Sequence, residues 1–206
     1  MEKVNTIGVK RRRISTKAVV KVGLLSAVAF LLMFIEMPIP GLFPDFLKID
    51  ISDMPALIAG LAMGPAAGIC VEIVKNFLHT IVATSTGGVG ELANIIVGSS
   101  FVVATSLVYR RKRNLKALIA GFACGTIAIT VVGSLVNYFF LLPFYGQLMG
   151  MEAILSIGKA VNPNVHNLAT FVLWFIAPFN IIKGVMISVL SIPLYKKLER
   201  VIKEHH

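Results

Sequence analysis

The chain has 206 residues, of which 56% are hydrophobic and 15% charged, and its mean hydropathy is +0.83; this composition excludes a soluble domain and reads as an integral membrane protein. The formal net charge of +10 comes mostly from three basic clusters that flank apolar runs, Lys10 to Lys21, Arg110 to Lys116 and Lys196 to Lys203. No stacking platform or nucleic-acid motif accompanies them, so they mark cytoplasmic flanks rather than a nucleic-acid surface.

The apolar stretch from Ala18 to Ile35 is longer than a signal-peptide core and much apolar sequence follows it, which predicts a first membrane helix over residues 16–36. Two prolines in Met37-Pro38-Ile39-Pro40-Gly41 stop it. Residues 42–52 mix Phe, Leu and Ile with Asp45, Lys48 and Asp50 and read as an ordered external loop. Ser52 or Asp53 then caps a second helix over residues 53–63, with Pro55 in its first turn.

Gly64-Pro65 ends that helix after eleven residues, about 17 Å of rise against a ~30 Å hydrocarbon core. Such a segment has to tilt, run into its bordering loops or line a cavity, as short broken helices do in transporters. The alternative is one bent helix over residues 53–82, which leaves an odd number of crossings. A third helix is predicted over 66–82, and the glycine-rich turn 84–90 follows it. That turn lacks the Lys-Ser/Thr of a phosphate loop and opens onto Glu91, so it reads as a flexible connection.

A fourth helix is predicted over 91–109 and a fifth over 117–142, with Pro143 to Val165 as an external loop holding a short interfacial helix over 148–159. The sixth, over 166–195, ends at Lys196-Lys197. The expected fold is an all-α integral membrane protein: a single six-transmembrane-helix bundle, residues 1–206, with N- and C-termini cytoplasmic. Cys70 and Cys124 lack metal or redox spacing and read as small buried packing residues. His205 and His206 read as a tag remnant.

Polar residues at membrane depth are functional candidates. Spacings of three and four put Glu72, Lys75 and His79 on one face of the third helix, either as an internal ion pair or as part of a site. Glu91 and Asn94 lie one turn apart at the start of the fourth, where Glu91 also suits the helix N-terminus. Asn137 and Tyr138 stand among aromatic residues in the fifth. The last helix carries His166, Asn167, Asn180 and Lys183, the final two one turn apart; Lys183 either addresses a ligand or snorkels to an interface. On the expected topology these groups gather in the external half. Donors and acceptors in an apolar, aromatic surround suit a planar heterocycle better than a bare ion.

No His-Glu-x-x-His, Gly-x-Ser-x-Gly or Walker sequence is present, so the chain is not expected to be an enzyme, to hold a catalytic metal or to hydrolyse ATP. Gly23 and Ala27, with Ser26 nearby, form a small-residue strip on the first helix that fits either internal packing or the close approach of another helix.

Several strings together resemble a known family: Phe43-Pro44-Asp45-Phe46-Leu47-Lys48-Ile49-Asp50, Asp53-Met54-Pro55-Ala56-Leu57, Gly64-Pro65, Lys75-Asn76-Phe77-Leu78-His79, Gly90-Glu91-Leu92-Ala93-Asn94 and Pro178-Phe179-Asn180-Ile181-Ile182-Lys183. These are similar to the riboflavin-specific substrate-binding (S) components of energy-coupling factor (ECF) vitamin transporters. The resemblance runs from the first helix to the last. It implies a riboflavin-capturing subunit of the prokaryotic plasma membrane that works with a transmembrane coupling subunit and two ATPases, carrying riboflavin as transported substrate and no cofactor. It implies substrate contacts from Leu47, Lys75, Glu91, Asn94, Asn137, Asn180 and Lys183. It also implies partner docking through Gly23, Ser26 and Ala27, where glycine replaces the first alanine of the family's docking motif. Two other readings of the residues stay open: an S component for another vitamin or heterocycle, and a self-sufficient channel or secondary transporter.

Overall fold

The computed structural model of the chain describes residues 15–44 and 46–203, with side chains given up to 195 and at 197. Asp45, the basic residues before Ser15, and His205 and His206 lie outside the described residues. The elements in chain order are α1 (Thr16–Met33), β1 (Met37–Pro38), β2 (Lys48–Ile49), α2 (Asp53–Met63), α3 (Pro65–Ala83), α4 (Val89–Lys112) and α5 (Leu115–Val136). A π-helical turn (Asn137–Leu141), α6 (Leu142–Met149) and α7 (Met151–Val161) follow. The chain closes with α8 (Leu168–Phe171), a second π turn (Val172–Ile176) and α9 (Ala177–Lys203).

Among the described residues, five helical stretches are long and apolar enough to cross a membrane: Thr16–Met33, Pro65–Ala83, Val89–Lys112, Leu115–Met149 and Leu168–Tyr195. The eleven-residue α2 is not one of them. Most of its side chains are buried, and it packs against α1, α3, α4 and α9. Gly64 separates it from α3 with φ +112°, a conformation that L side chains rarely adopt. The break therefore makes a hairpin and not one bent helix, and α2 lies against α3.

The hairpin closes tightly because a Cβ at Gly68 would meet the Ala56 carbonyl oxygen at 2.7 Å. Gly121 plays the same part between α4 and α5, where an added Cβ would stand 2.8 Å from the Thr105 carbonyl oxygen. Small residues at such contacts replace the hydrophobic drive that lipid does not supply. Around them lies one apolar cluster, including Phe101, Tyr109, Ile129, Ile187 and Tyr195. The Tyr109 and Tyr195 hydroxyls are 3.1 Å apart, which brings the C-terminal part of α4 against that of α9.

A second cluster occupies the other end of the bundle, built from Phe43, Ile49, Leu142, Ile154, Phe171, Phe175 and Phe179. Here the chain departs from the expected boundaries. Helix α5 does not stop at residue 142: it passes through a π turn into α6 and ends at Gly150, φ +87°. Pro143 removes a backbone donor, and the wider π turn just before it absorbs the disruption. Pro178 stands just after the second π turn in the same way. The interfacial helix expected over 148–159 is α7, Met151–Val161, with one apolar side turned inward through Ile154 and Gly158.

Cys70 and Cys124 are exposed on the outer faces of α3 and α5, against the expectation of burial. In a helix facing lipid, apolar surroundings in sequence do not tell inside from outside.

Candidate ligand-binding site

At the end of the bundle that holds the second cluster lies a cavity of about 560 Å³. Its walls come from widely separated parts of the chain: Met33 of α1, Leu47 and Asp50 of the loop, Asn76 and His79 of α3, Glu91 and Asn94 of α4, Asn137 of the first π turn, and Asn180 and Lys183 of α9. Ile154 and Ile157 of α7 add an apolar side, with Phe46, Leu141 and Phe179.

The loop from residue 34 to 52 reaches the cavity because it is pinned at both ends. Met37 pairs with Ile49 and Pro38 with Lys48 in a short antiparallel ladder, and Lys48 forms an ion pair with Glu36. The Ser52 amide donates to Asp50 Oδ1 at 2.7 Å, turning the chain into α2. Ring contacts fasten the loop to the last helical stretch: Phe43 meets Phe179 edge-on at 5.5 Å, and Phe46 stacks on Phe171 at 6.2 Å.

The asparagines and Glu91 in the wall have their orientations held by neighbours. The Asn180 amide donates to the Ile176 carbonyl at 2.8 Å, and the Asn137 amide to the Gly133 carbonyl, also at 2.8 Å. Asn94 Nδ2 donates to Asn76 Oδ1 at 3.0 Å, and Asn76 Nδ2 to the Glu72 carbonyl at 2.8 Å. These contacts leave the Oδ1 atoms of Asn94, Asn137 and Asn180 as acceptors for other groups. Glu91 is engaged at both oxygens, with His79 Nδ1 2.9 Å from Oε1 and Thr86 Oγ1 donating to Oε2 at 3.0 Å.

The turn before α4, expected to be flexible, is ordered by Thr84 and Thr86. Thr84 Oγ1 accepts from the amides of Thr86 and Gly88, and Thr86 Oγ1 from that of Gly90. Gly87 and Gly88 supply the positive φ values, +64° and +91°, that bring Glu91 to the cavity edge.

Six of the residues implied as contacts therefore meet in one place: Leu47, Glu91, Asn94, Asn137, Asn180 and Lys183 all line the cavity. Lys75 does not. It is 0% exposed and lies behind the wall, bonded to Ser52 Oγ at 3.0 Å, paired with Asp53 and 2.9 Å from Glu72 Oε2. Gly98 makes room for this pair, since a Cβ there would stand 2.7 Å from Glu72 Oε2. The spacing that put Lys75 beside His79 on one face did not reveal that α2 covers it.

Lys183 Nζ stands 3.0 Å from Asp53 Oδ2 and 3.4 Å from Asp50 Oδ2, so it is held inside the protein and does not snorkel outward. His166, Asn167 and Tyr138 stay exposed outside the lining, and Asn167 caps α8 by accepting from the Thr170 amide. Asp50, Thr86, Tyr145 and Ile154 line the cavity without having been singled out. The loop motif marked Asp50, while nothing local marks the others.

On α1, Gly23 has no atom within 4 Å of its Cβ position and Ala27 is exposed. Ser26 is not part of that open strip: it is buried and its hydroxyl donates to the Val22 carbonyl at 2.8 Å. Ser26 and Ala27 are neighbours in sequence and so point about 100° apart around the helix, which turns one inward and the other outward.

Comparison with known proteins agrees with this architecture. Residues 17–195 match the family described as ECF transporter, substrate-specific component. The chain is 40% identical over 187 residues to the riboflavin transporter RibU of Staphylococcus aureus (strain TCH60), covering 91% of this chain and 93% of the relative. It is 40% identical over 185 residues to the riboflavin transporter FmnP of Bacillus subtilis (strain 168), covering 89% and 92%. A solved structure of the S component of a bacterial ECF transporter superposes with a TM-score of 0.72 at 40% identity, over 91% of this chain and 98% of the other. With several apolar helices of spanning length, the protein is a multi-pass membrane protein. The chain belongs to the family of substrate-specific components of ECF transporters.

Proposed function

We propose that this protein is the riboflavin-binding subunit of an ATP-driven ECF uptake transporter in the plasma membrane, and that it captures the vitamin from outside. The observation that carries this reading is the meeting of Leu47, Glu91, Asn94, Asn137, Asn180 and Lys183 around one cavity of about 560 Å³, within the ~300–1,000 Å³ usual for ligand sites.

The chemistry fits a flavin. Its tricycle has an apolar dimethylbenzene edge, which Leu47, Phe46 and Phe179 can cover, and a uracil-like edge that both donates and accepts. Asn180 Oδ1 is placed to accept from that edge and Lys183 to donate to a ring carbonyl. Asn94, Asn137 and Glu91 serve the ribityl hydroxyls.

Six crossings with both ends cytoplasmic complete the reading, with α2 and the loop before it counted as the second. Arg110 reaches beneath Gly64, and α4 meets α9 at Tyr109 and Tyr195, so the α2–α3 turn and the basic α4–α5 connection lie toward one end while the cavity lies toward the other. Positive residues then face the cytoplasm and the cavity opens outward. A coupling subunit docks on Gly23 and Ala27, and two ATPases drive the cycle, as the family implies. A reconstituted chain that moved riboflavin uphill by itself would remove the need for such partners.

The site is tested by titrating riboflavin fluorescence with the chain purified in detergent. Tight quenching is expected, weakened about tenfold or more in Asn180→Leu, as loss of a buried hydrogen bond requires. Folded protein that leaves riboflavin fluorescence unchanged would move the assignment to another heterocycle.

A further inference from the structure

Five charged side chains form one cluster at the cavity wall: Asp50 in the loop and Lys183 on α9 line the cavity, and Lys75 and Glu72 on α3 and Asp53 at the start of α2 lie behind them. Asp53 is at their centre. Its Oδ1 receives Lys75 and its Oδ2 stands 3.0 Å from Lys183 Nζ, and it is the only member to contact both lysines. It is 0% exposed and does not line the cavity. Whatever it does for a ligand, it does through Lys183.

We propose that Asp53 is the positioning residue of the ligand-binding site: it fixes and neutralises the Lys183 ammonium so that the cavity meets one directed N–H donor and not a mobile positive charge. This rests on reading the cavity as the flavin site.

A lysine carries its ammonium on a flexible four-carbon stem, so its direction depends on what holds it. Asp50 accepts a long hydrogen bond from Lys183 at 3.4 Å, but it stands on the loop and is partly exposed, so it fixes the ammonium less firmly. Asp53 stands on a helix enclosed by four others and is itself held by Lys75, which bonds Ser52 on the preceding residue. Lys183 Nζ is ion-paired on one side, with Asp53 at 3.0 Å and Asp50 at 3.4 Å, which leaves donor capacity for the cavity on the other. Two carboxylates beside it also cancel its charge, so that wall recognises an uncharged carbonyl and has no excess charge for an anion.

The charge arrangement makes the test practicable. Asp53→Asn still leaves Lys75 beside Glu72 and Lys183 beside Asp50, one carboxylate for each lysine. Riboflavin dissociation constants and the visible absorption of bound flavin are measured for the wild type, Asp53→Asn and Asp53→Glu, each also in a Lys183→Met background, on protein shown to be folded by gel filtration. The expected result is at least tenfold weaker binding for Asp53→Asn, with the bound-flavin band moved to its position in Lys183→Met. Asp53→Glu keeps the charge and is expected to fall between Asp53→Asn and wild type. In the Lys183→Met background both changes at position 53 alter affinity less than twofold.

Equal losses in both backgrounds, or an unchanged flavin band in Asp53→Asn, would make Asp53 a purely structural residue and overturn the proposal. If Asp53→Asn fails to fold, Asp53→Glu in the two backgrounds makes the same comparison. A wild type that does not bind riboflavin overturns the flavin reading itself and this inference with it, whereas a binding wild type with uncoupled positions overturns only the role of Asp53.

Discussion

The two apolar clusters of this protein are built in opposite ways. The one around Phe101, Ile129 and Tyr109 comes wholly from regular α-helices, the short α2 among them, drawn together by glycines that leave no room for a methyl group. The one around Phe43, Phe171 and Phe179 is assembled from a loop, short helices, the second π turn and the start of α9, and aromatic rings fill its irregular spaces. Met186 packs against both. Non-helical backbone is tolerated within a membrane protein only where protein or a cavity covers it. The regular half thus supplies a rigid base, and the irregular half supplies the varied donors and acceptors that a ligand needs.

The strongest way to break this contrast is to overfill the regular half. Gly68→Val places a branched side chain against the Ala56 carbonyl and Val102. It is expected to cost about 3 kcal/mol, at the upper end for overpacking, and to lower the thermal midpoint in detergent for apo and riboflavin-loaded protein alike. A variant that melts like the wild type would show that the hairpin of α2 and α3 is looser than its contacts require.

The irregular half should respond in affinity more than in stability. In Gly133→Ala the new Cβ would stand 2.8 Å from Asn180 Nδ2, displacing that side chain from the ring edge. Binding is expected to weaken about tenfold, equivalent to roughly 1.4 kcal/mol, with the apo melting temperature little changed. Equal affinity would remove Asn180 from the contact set.

Glu91→Gln sharpens the assignment of the two ends of the ligand. The amide keeps the shape but replaces one acceptor oxygen with a donor, which mismatches Thr86 Oγ1 or His79. A loss of about fivefold, ~1 kcal/mol, is expected for riboflavin, and a smaller one for lumichrome, which lacks the ribityl chain. Equal losses for both would place Glu91 at the ring.

The smallest effect is expected at the loop. The Lys48–Glu36 pair has side chains 44% and 43% exposed, so Lys48→Ala is expected to cost at most about 1 kcal/mol. It should appear in stopped-flow traces as faster riboflavin dissociation. A change beyond tenfold would mean that this pair, and not the Phe43 and Phe46 ring contacts, holds the loop over the cavity.

Much of the site was legible because each polar residue stood out against apolar sequence. Asn137, Asn180 and Lys183 are conspicuous in helices that otherwise carry Val, Leu, Ile and Phe. The burial of Lys75 was not legible, since its helix face is shared with His79 and only the packing of α2 separates them. Pro143 misled in the same manner. Proline ends most helices, yet here a π turn lets the helix continue to Met149 and brings Leu141, Leu142 and Tyr145 to the cavity. Ser26 shows the same limit on α1, where an open strip and a buried face lie one residue apart.

By itself, the sequence determined that the protein resides in a membrane, where its helices begin and which polar residues are out of place there. Those properties are local: hydropathy, proline, glycine and charge act over one or two turns. Only the tertiary structure decided which of the polar residues share a cavity and which neutralise one another behind it. The ion pair of Lys183 with Asp53 joins α9 to α2 across more than a hundred positions, and no local periodicity encodes a contact at that separation.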